Sequence, residues 1–240
     1  PGFSTTNFQQ KEFFNKLSKE LDANIFLSRL SGHGREYPGS KQMSSENYLK
    51  DTSEAIEIAK KIGNKVILIG FSLGGALTTA ASFDDKLSKD LLGVVLFAPA
   101  YVGTLRNNTR WLYAASFRDK VNLDCNDYIN DQMKYDCTKY STNVFEISDG
   151  AEGGHIMSAV AEKDFSANKV PALSFFDYDD DVLNSYETEK RLNKWGNIKS
   201  KIVIVESGER DITQHFIVGF LNPELDEFYI KEISNWINNL

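Results

Sequence analysis

The chain has 240 residues, 41% of them hydrophobic and 25% charged, with a formal net charge of −7 at pH 7, the make-up of one α/β domain long enough to bury a sizeable core. An acidic chain without a large Lys/Arg cluster argues against nucleic-acid binding through phosphates, and no apolar run approaches the roughly 20 residues of a membrane helix, so no stable membrane insertion is expected. Two cysteines and three histidines do not have the numbers or the spacing of a zinc site, and neither a metal nor a cofactor is expected.

Taken in chain order, Phe14, Leu17 and Leu21 fall on one face of a first helix, and Asn24–Arg29 reads as a strand. Tyr48, Thr52, Ala55, Ile56, Ala59 and Ile62 form the next helical face. Lys65–Gly70 is a clean apolar strand, followed by Gly70-Phe71-Ser72-Leu73-Gly74 and a small-residue helix start over Leu73–Ser82. Gly93–Ala98 is the next strand. From Tyr101 to Lys169 no strand is evident. That interval is rich in Asn, Asp, Tyr, Ser and Gly, and a loop of this length inside a domain is usually functional, often a lid. Its aromatic patch, Trp111, Tyr113 and Phe117, is a candidate substrate-binding surface. Cys125 and Cys137 fit either free thiols in a cytosolic protein or one disulfide in an extracytoplasmic one, and their polar, aspartate-rich surroundings favour the disulfide. Strands follow at Ala172–Phe176 and Lys201–Glu206. A last helix begins after Asn222, with Pro223 at its first position. Strands that are nearly continuous apolar runs, alternating with helices, imply a parallel sheet covered on both faces.

A serine between glycines is a weak signal alone, because a capped tight turn looks the same. The strand before Ser72 and the helix after it are the context of a nucleophile elbow. There the hydroxyl projects above the sheet and the helix N-terminus stabilises developing negative charge. A serine nucleophile needs a base. His33 lies before the elbow in Gly32-His33-Gly34, His155 lies in the irregular interval, and His215 lies between the last strand and the last helix. Four acids, Asp177, Asp179, Asp180 and Asp181, follow the strand Ala172–Phe176.

With these residues the chain resembles the serine α/β-hydrolases, in particular the carboxylesterase and monoacylglycerol-lipase-like branch. The matching points are Pro1-Gly2-Phe3-Ser4, Leu30-Ser31-Gly32-His33-Gly34, Gly70-Phe71-Ser72-Leu73-Gly74-Gly75, the acid loop and His215, which together span nearly the whole chain. The resemblance implies an α/β-hydrolase fold, with core at 1–100 and 171–240 and a cap inserted at 101–170. The family order of serine, acid, histidine selects Ser72 and His215. Its acid-loop pattern, a strand then Asp-x-apolar-apolar, puts the acid at Asp180 before Val182-Leu183, with Asp179 and Asp181 one residue away in register. The remaining aspartates are then expected to be solvated turn residues, and His33 to shape its glycine turn. The oxyanion donors are expected to be the backbone N–H groups of Leu73 and Phe3. Pro1-Gly2 stands where the family usually has His-Gly, a change that leaves the Phe3 N–H in place. In the family a central strand precedes this loop, so the resemblance also implies a strand ahead of Pro1, lying between Asn24–Arg29 and Lys65–Gly70. The expected partner is a small-molecule ester, of short to medium acyl length or monoacylglycerol-like. A thioesterase or acyltransferase would use the same triad, and a ligand-binding protein on the same scaffold is the non-catalytic alternative.

Overall fold

Among the described residues, four mostly apolar runs build the central sheet: β1 (Val66–Phe71), β2 (Leu91–Phe97), β5 (Ala172–Phe176) and β6 (Lys201–Ile204). They lie in the order β1-β2-β5-β6, and every pair is parallel. The computed structural model describes residues 1–104, 120–122, 141–208 and 213–240, with backbone alone for 120–122. The expected strand at Lys65–Gly70 lies one residue further on, Gly93–Ala98 two residues earlier at its start, and Lys201–Glu206 two residues shorter, the usual scatter of element ends.

Parallel strands must be covered on both faces, and helices do this. On one face lie α1 (Lys11–Leu21) and α6 (Asp226–Ile237). Phe97 of β2 stacks on Phe175 of β5 at 4.9 Å between centroids. Phe13 of α1 and Tyr229 of α6 meet these rings edge-on. All four are essentially without exposure, and burying each side chain contributes on the order of 2 kcal/mol. Lys16 Nζ pairs with the buried Asp226 Oδ2 at 2.9 Å, tying the two helices together. The helices α2 (Ser45–Ile62), α3 (Leu73–Phe83) and α4 (Ile147–Ala161) pack on one another. Ser44 caps α2 by accepting from the Asn47 N–H at 3.1 Å. A short helix, α5 (Ser185–Leu192), follows the β5 loop. Pro223 opens a turn of 3-10 helix that leads into α6. Among the described residues, no helix is long and apolar enough to cross a membrane.

Two expectations need correction. Asn24–Arg29 is not a strand: it has no ladder partner among the described residues. Its register is held by side chains, Asn24 donating to Ile62 O and Asn7 to Leu27 O. It does not pair with β1, which among the described residues pairs with β2 alone. The interval from Tyr101 to Lys169 is also more regular than expected. β3 (Lys120–Asn122) and β4 (Val144–Glu146) form an antiparallel ribbon that leads into α4. Gly150, Gly153 and Gly154 hide this helix in the sequence, since glycine is a poor helix former. Its start is fixed by the Asp149 carboxylate, which accepts from the Glu146 N–H at 3.1 Å.

Candidate active site

Ser72 sits between the end of β1 and the start of α3 with φ 53° and ψ −117°. An L-residue there carries about 1–3 kcal/mol of strain, and persists only where its surroundings over-determine it. Here they do. The Ser72 N–H donates to Phe97 O at 2.9 Å, and its carbonyl accepts from the N–H groups of Ala76 and Ala100 at 3.1 and 3.0 Å. The strand end and the first helical turn come so close that a Cβ on Gly70 would lie 2.2 Å from Gly74 O, so only glycine fits.

The hydroxyl does not cap α3. It meets His215 Nε2 at 2.8 Å, and His215 Nδ1 meets Asp180 Oδ2 at 2.7 Å. A carboxylate accepts a proton bond at Nδ1, which leaves Nε2 free to accept from the hydroxyl. The other Asp180 oxygen accepts from the N–H groups of Val182 and Leu183 at 2.9 and 2.8 Å. The three residues are 8%, 5% and 7% exposed. They come from the segments after β1, β5 and β6, all at the carboxyl ends of parallel strands, where open α/β sheets form their clefts. The Phe71 ring lies over the imidazole at 5.1 Å and 33°, with Phe216 beyond it.

The expected oxyanion loop is beside this group. A Cβ on Gly2 would come within 3.0 Å of the Phe71 ring and 3.2 Å of Ser72 Cβ. Thr5 closes the loop, its N–H and hydroxyl both donating to Gly2 O. The Phe3 ring packs edge-on against Phe145 and His33. Thr142 stitches the loop to the Gly32-His33-Gly34 turn: its N–H donates to Ser4 O, and its hydroxyl accepts from the Gly34 N–H and donates to Gly32 O. Leu73 is the first residue of α3, where a helix N–H has no acceptor four residues back. α4 lies against both expected donor residues: a Cβ on Gly153 would sit 3.5 Å from Phe3 and 3.6 Å from Leu73.

The other candidates fall elsewhere. His33 is fully buried beside Tyr48, and burial pushes its imidazole down to about 4. His155 is exposed on α4, 3.8 Å from Glu152. Asp179 and Asp181 are exposed. Asp177 is not the solvated turn residue expected: it is 3% exposed, and its carboxylate accepts from the N–H groups of Asp179 and Ser207 and from the Ser207 hydroxyl. Trp111, Tyr113, Phe117, Cys125 and Cys137 lie outside the described residues. Sequence reasoning missed Thr142, Phe145 and Gly153, none of which belongs to a motif. Among the described residues, no group of three or more His, Cys, Asp or Glu side chains could hold a metal ion.

A family model described as serine aminopeptidase, S33, matches residues 9–143, a span that includes Ser72 and ends before Asp180 and His215. Among solved structures, that of the metagenome-derived lipolytic enzymes LipS and LipT superposes with a TM-score of 0.74 at 16% identity, covering 100% of this chain and 91% of the other. The monoacylglycerol lipase of Paleococcus ferrophilus gives 0.70 at 16%, covering 98% and 91%. A soluble variant of the monoglyceride lipase of Saccharomyces cerevisiae, bound to a substrate analog, gives 0.71 at 12%, covering 99% and 84%. These likenesses establish an α/β-hydrolase fold. No curated protein sequence matches the chain.

Proposed function

Because this chain belongs to the hydrolase family described as serine aminopeptidase, S33, we propose that it is a serine hydrolase that cleaves carboxylic esters through an acyl-enzyme. The observation that carries the reading is the unbroken line from the strained Ser72 through His215 to Asp180, at 2.8 and 2.7 Å. Ser72 Oγ attacks the ester carbonyl while His215 Nε2 takes its proton. Asp180 holds the tautomer and stabilises the imidazolium. The tetrahedral oxyanion is received by the N–H groups of Leu73 and Phe3, each worth about 3 kcal/mol. Collapse expels the alcohol, which takes the proton from His215. Water then repeats the sequence on the acyl-enzyme and releases the acid. The segment 101–170 serves as the cap, a role supported by the seat of α4 on Phe3 and Leu73. Short- to medium-chain and monoacylglycerol-like esters are the proposed substrates, in keeping with the lipases and esterases that share the fold.

The test combines a fluorophosphonate probe with a panel of esters of graded acyl length, thioesters and amino-acyl anilides, the last because of the family's name. The wild-type protein is expected to label at Ser72 and to turn over esters fastest. Ser72→Ala is expected to lose all labelling and to drop turnover by at least about a thousand-fold. Full ester turnover by Ser72→Ala would end the proposal, and preference for the anilides would move the substrate class to peptides.

A further inference from the structure

His215 stands on a segment whose described residues, from Val205 on, lie in no helix or strand. After β6 the Val205 N–H still donates to Phe176 O at 2.9 Å, and the ladder stops there. Beyond that point the segment is tied to the acid loop through carboxylates. Asp177, buried at the end of β5, takes the Ser207 N–H at 2.9 Å and the Ser207 hydroxyl on one oxygen, and the Asp179 N–H at 2.9 Å on the other. Its own carbonyl accepts from the Ser185 hydroxyl at 2.5 Å, so its backbone is held as well as its carboxylate. Asp181 accepts from the Thr213 hydroxyl, and the Thr213 oxygen accepts in turn from the backbone N–H of His215 at 3.3 Å. Asp180, between them, takes the imidazole.

We propose that Asp177 and Asp181 are positioning residues for His215, tying the stretch that leads into it to the acid loop at Ser207 and at Thr213 so that Nε2 stays on the Ser72 hydroxyl. This rests on the hydrolase reading of Ser72, His215 and Asp180. An exposed carboxylate on one hydroxyl adds little to folding stability. Its effect is on geometry, and a misplacement of about 1 Å at reacting groups can lower a rate a hundred-fold. Asp181 acts through Thr213 on the backbone of His215. Asp177 acts through Ser207, whose hydroxyl also lies 3.1 Å from the side chain of Gln214, the neighbour of His215.

The experiment uses the whole chain and the variants Asp181→Ala, Thr213→Val, their double, Asp181→Asn, Asp177→Asn and Asp180→Asn. The readouts are kcat and KM on an ester the wild type turns over, the rate of fluorophosphonate labelling, melting temperature, and the proton resonance of His215 Nδ1–H. Asp181→Ala and Thr213→Val are each expected to lower kcat and labelling about ten-fold with KM within about two-fold, and to shift the Nδ1–H resonance while leaving the melting temperature in place. The double variant is expected to be no worse than either single, because both break one link. Asp181→Asn keeps an acceptor oxygen and is expected to recover most of the rate. Asp177→Asn is expected to lower kcat further and to melt earlier, since one of its two accepting oxygens becomes a donor. If Asp180→Asn loses activity while Asp181→Ala and Thr213→Val match the wild type in kcat and in the Nδ1–H resonance, the proposal is overturned and the hydrolase reading stands. If the wild type neither labels nor turns over any ester, the hydrolase reading fails, and a resonance that moves in Asp181→Ala and Thr213→Val still supports the positioning.

Discussion

Gly2 has almost no room beside it. The Phe71 ring that crowds it also lies on the His215 imidazole, so a methyl group at position 2 needs the ring to give by a few tenths of an ångström, and that shift presses on the imidazole. Gly2→Ala is therefore expected to lower ester turnover about ten-fold and to destabilise the fold by about 1–3 kcal/mol, read from kcat and from the urea midpoint. An unchanged kcat would mean that the ring yields without disturbing the imidazole. At this scale the sequence was most legible where a local motif carries its own geometry. The apolar pair Val182-Leu183 pointed to Asp180, and the physical reason is visible: those two residues hold their N–H groups on its carboxylate. Asp177 was misread because a buried, fully bonded aspartate and a solvated one are the same letter. Only its distant partner Ser207, brought in by β6, tells them apart.

Strands buried on both faces announced themselves, since β2 and β5 are nearly continuous apolar runs over which helices must pack. Asn24–Arg29 carried the same kind of signal and forms no strand, because composition describes a willingness to pair and a ladder needs a neighbour. The helix α4 failed in the opposite sense. Its three glycines weaken local propensity, while its seat against α3 and the Phe3 loop supplies the stability from outside the segment. The space at Gly153 makes this testable. A methyl group there would be in ordinary contact with Phe3 and Leu73 at 3.5–3.7 Å, and alanine favours the helix by up to about 1 kcal/mol. Gly153→Ala is thus expected to raise the melting temperature by a few degrees with ester turnover retained. Gly153→Leu, which overfills the same space, is expected to lose turnover. A lower melting temperature for Gly153→Ala would show that this face of α4 has no slack.

At the scale of the whole molecule, acid is expected to act through His33, a group outside the candidate site. Burial holds His33 at about 4, against 6.5 for an unperturbed imidazole, so the folded state keeps it neutral while the unfolded chain takes up a proton. Above about pH 6.5 both states are neutral and nothing is lost. Between about 6.5 and 4 the unfolded state alone is protonated, and stability falls with pH by up to about 3 kcal/mol in total. Below about 4 both states bind the proton and the loss levels off. His33→Asn is expected to remove this part of the acid dependence, seen as a smaller drop in urea midpoint from pH 7 to pH 4.5 than in the wild type. Equal drops in the two proteins would assign the acid sensitivity to other groups. The Ser72–His215 hydrogen bond joins residues 143 positions apart and rests on strands that follow one another across the sheet. A contact of that reach closes late in the search for the native chain path, since the loop entropy must be overcome before it forms. On the proposed reading, fluorophosphonate labelling of Ser72 is therefore expected to serve as a clock for completed folding: a nicked, half-assembled or wrongly ordered sheet can bury its aromatic rings and still leave Ser72 away from His215.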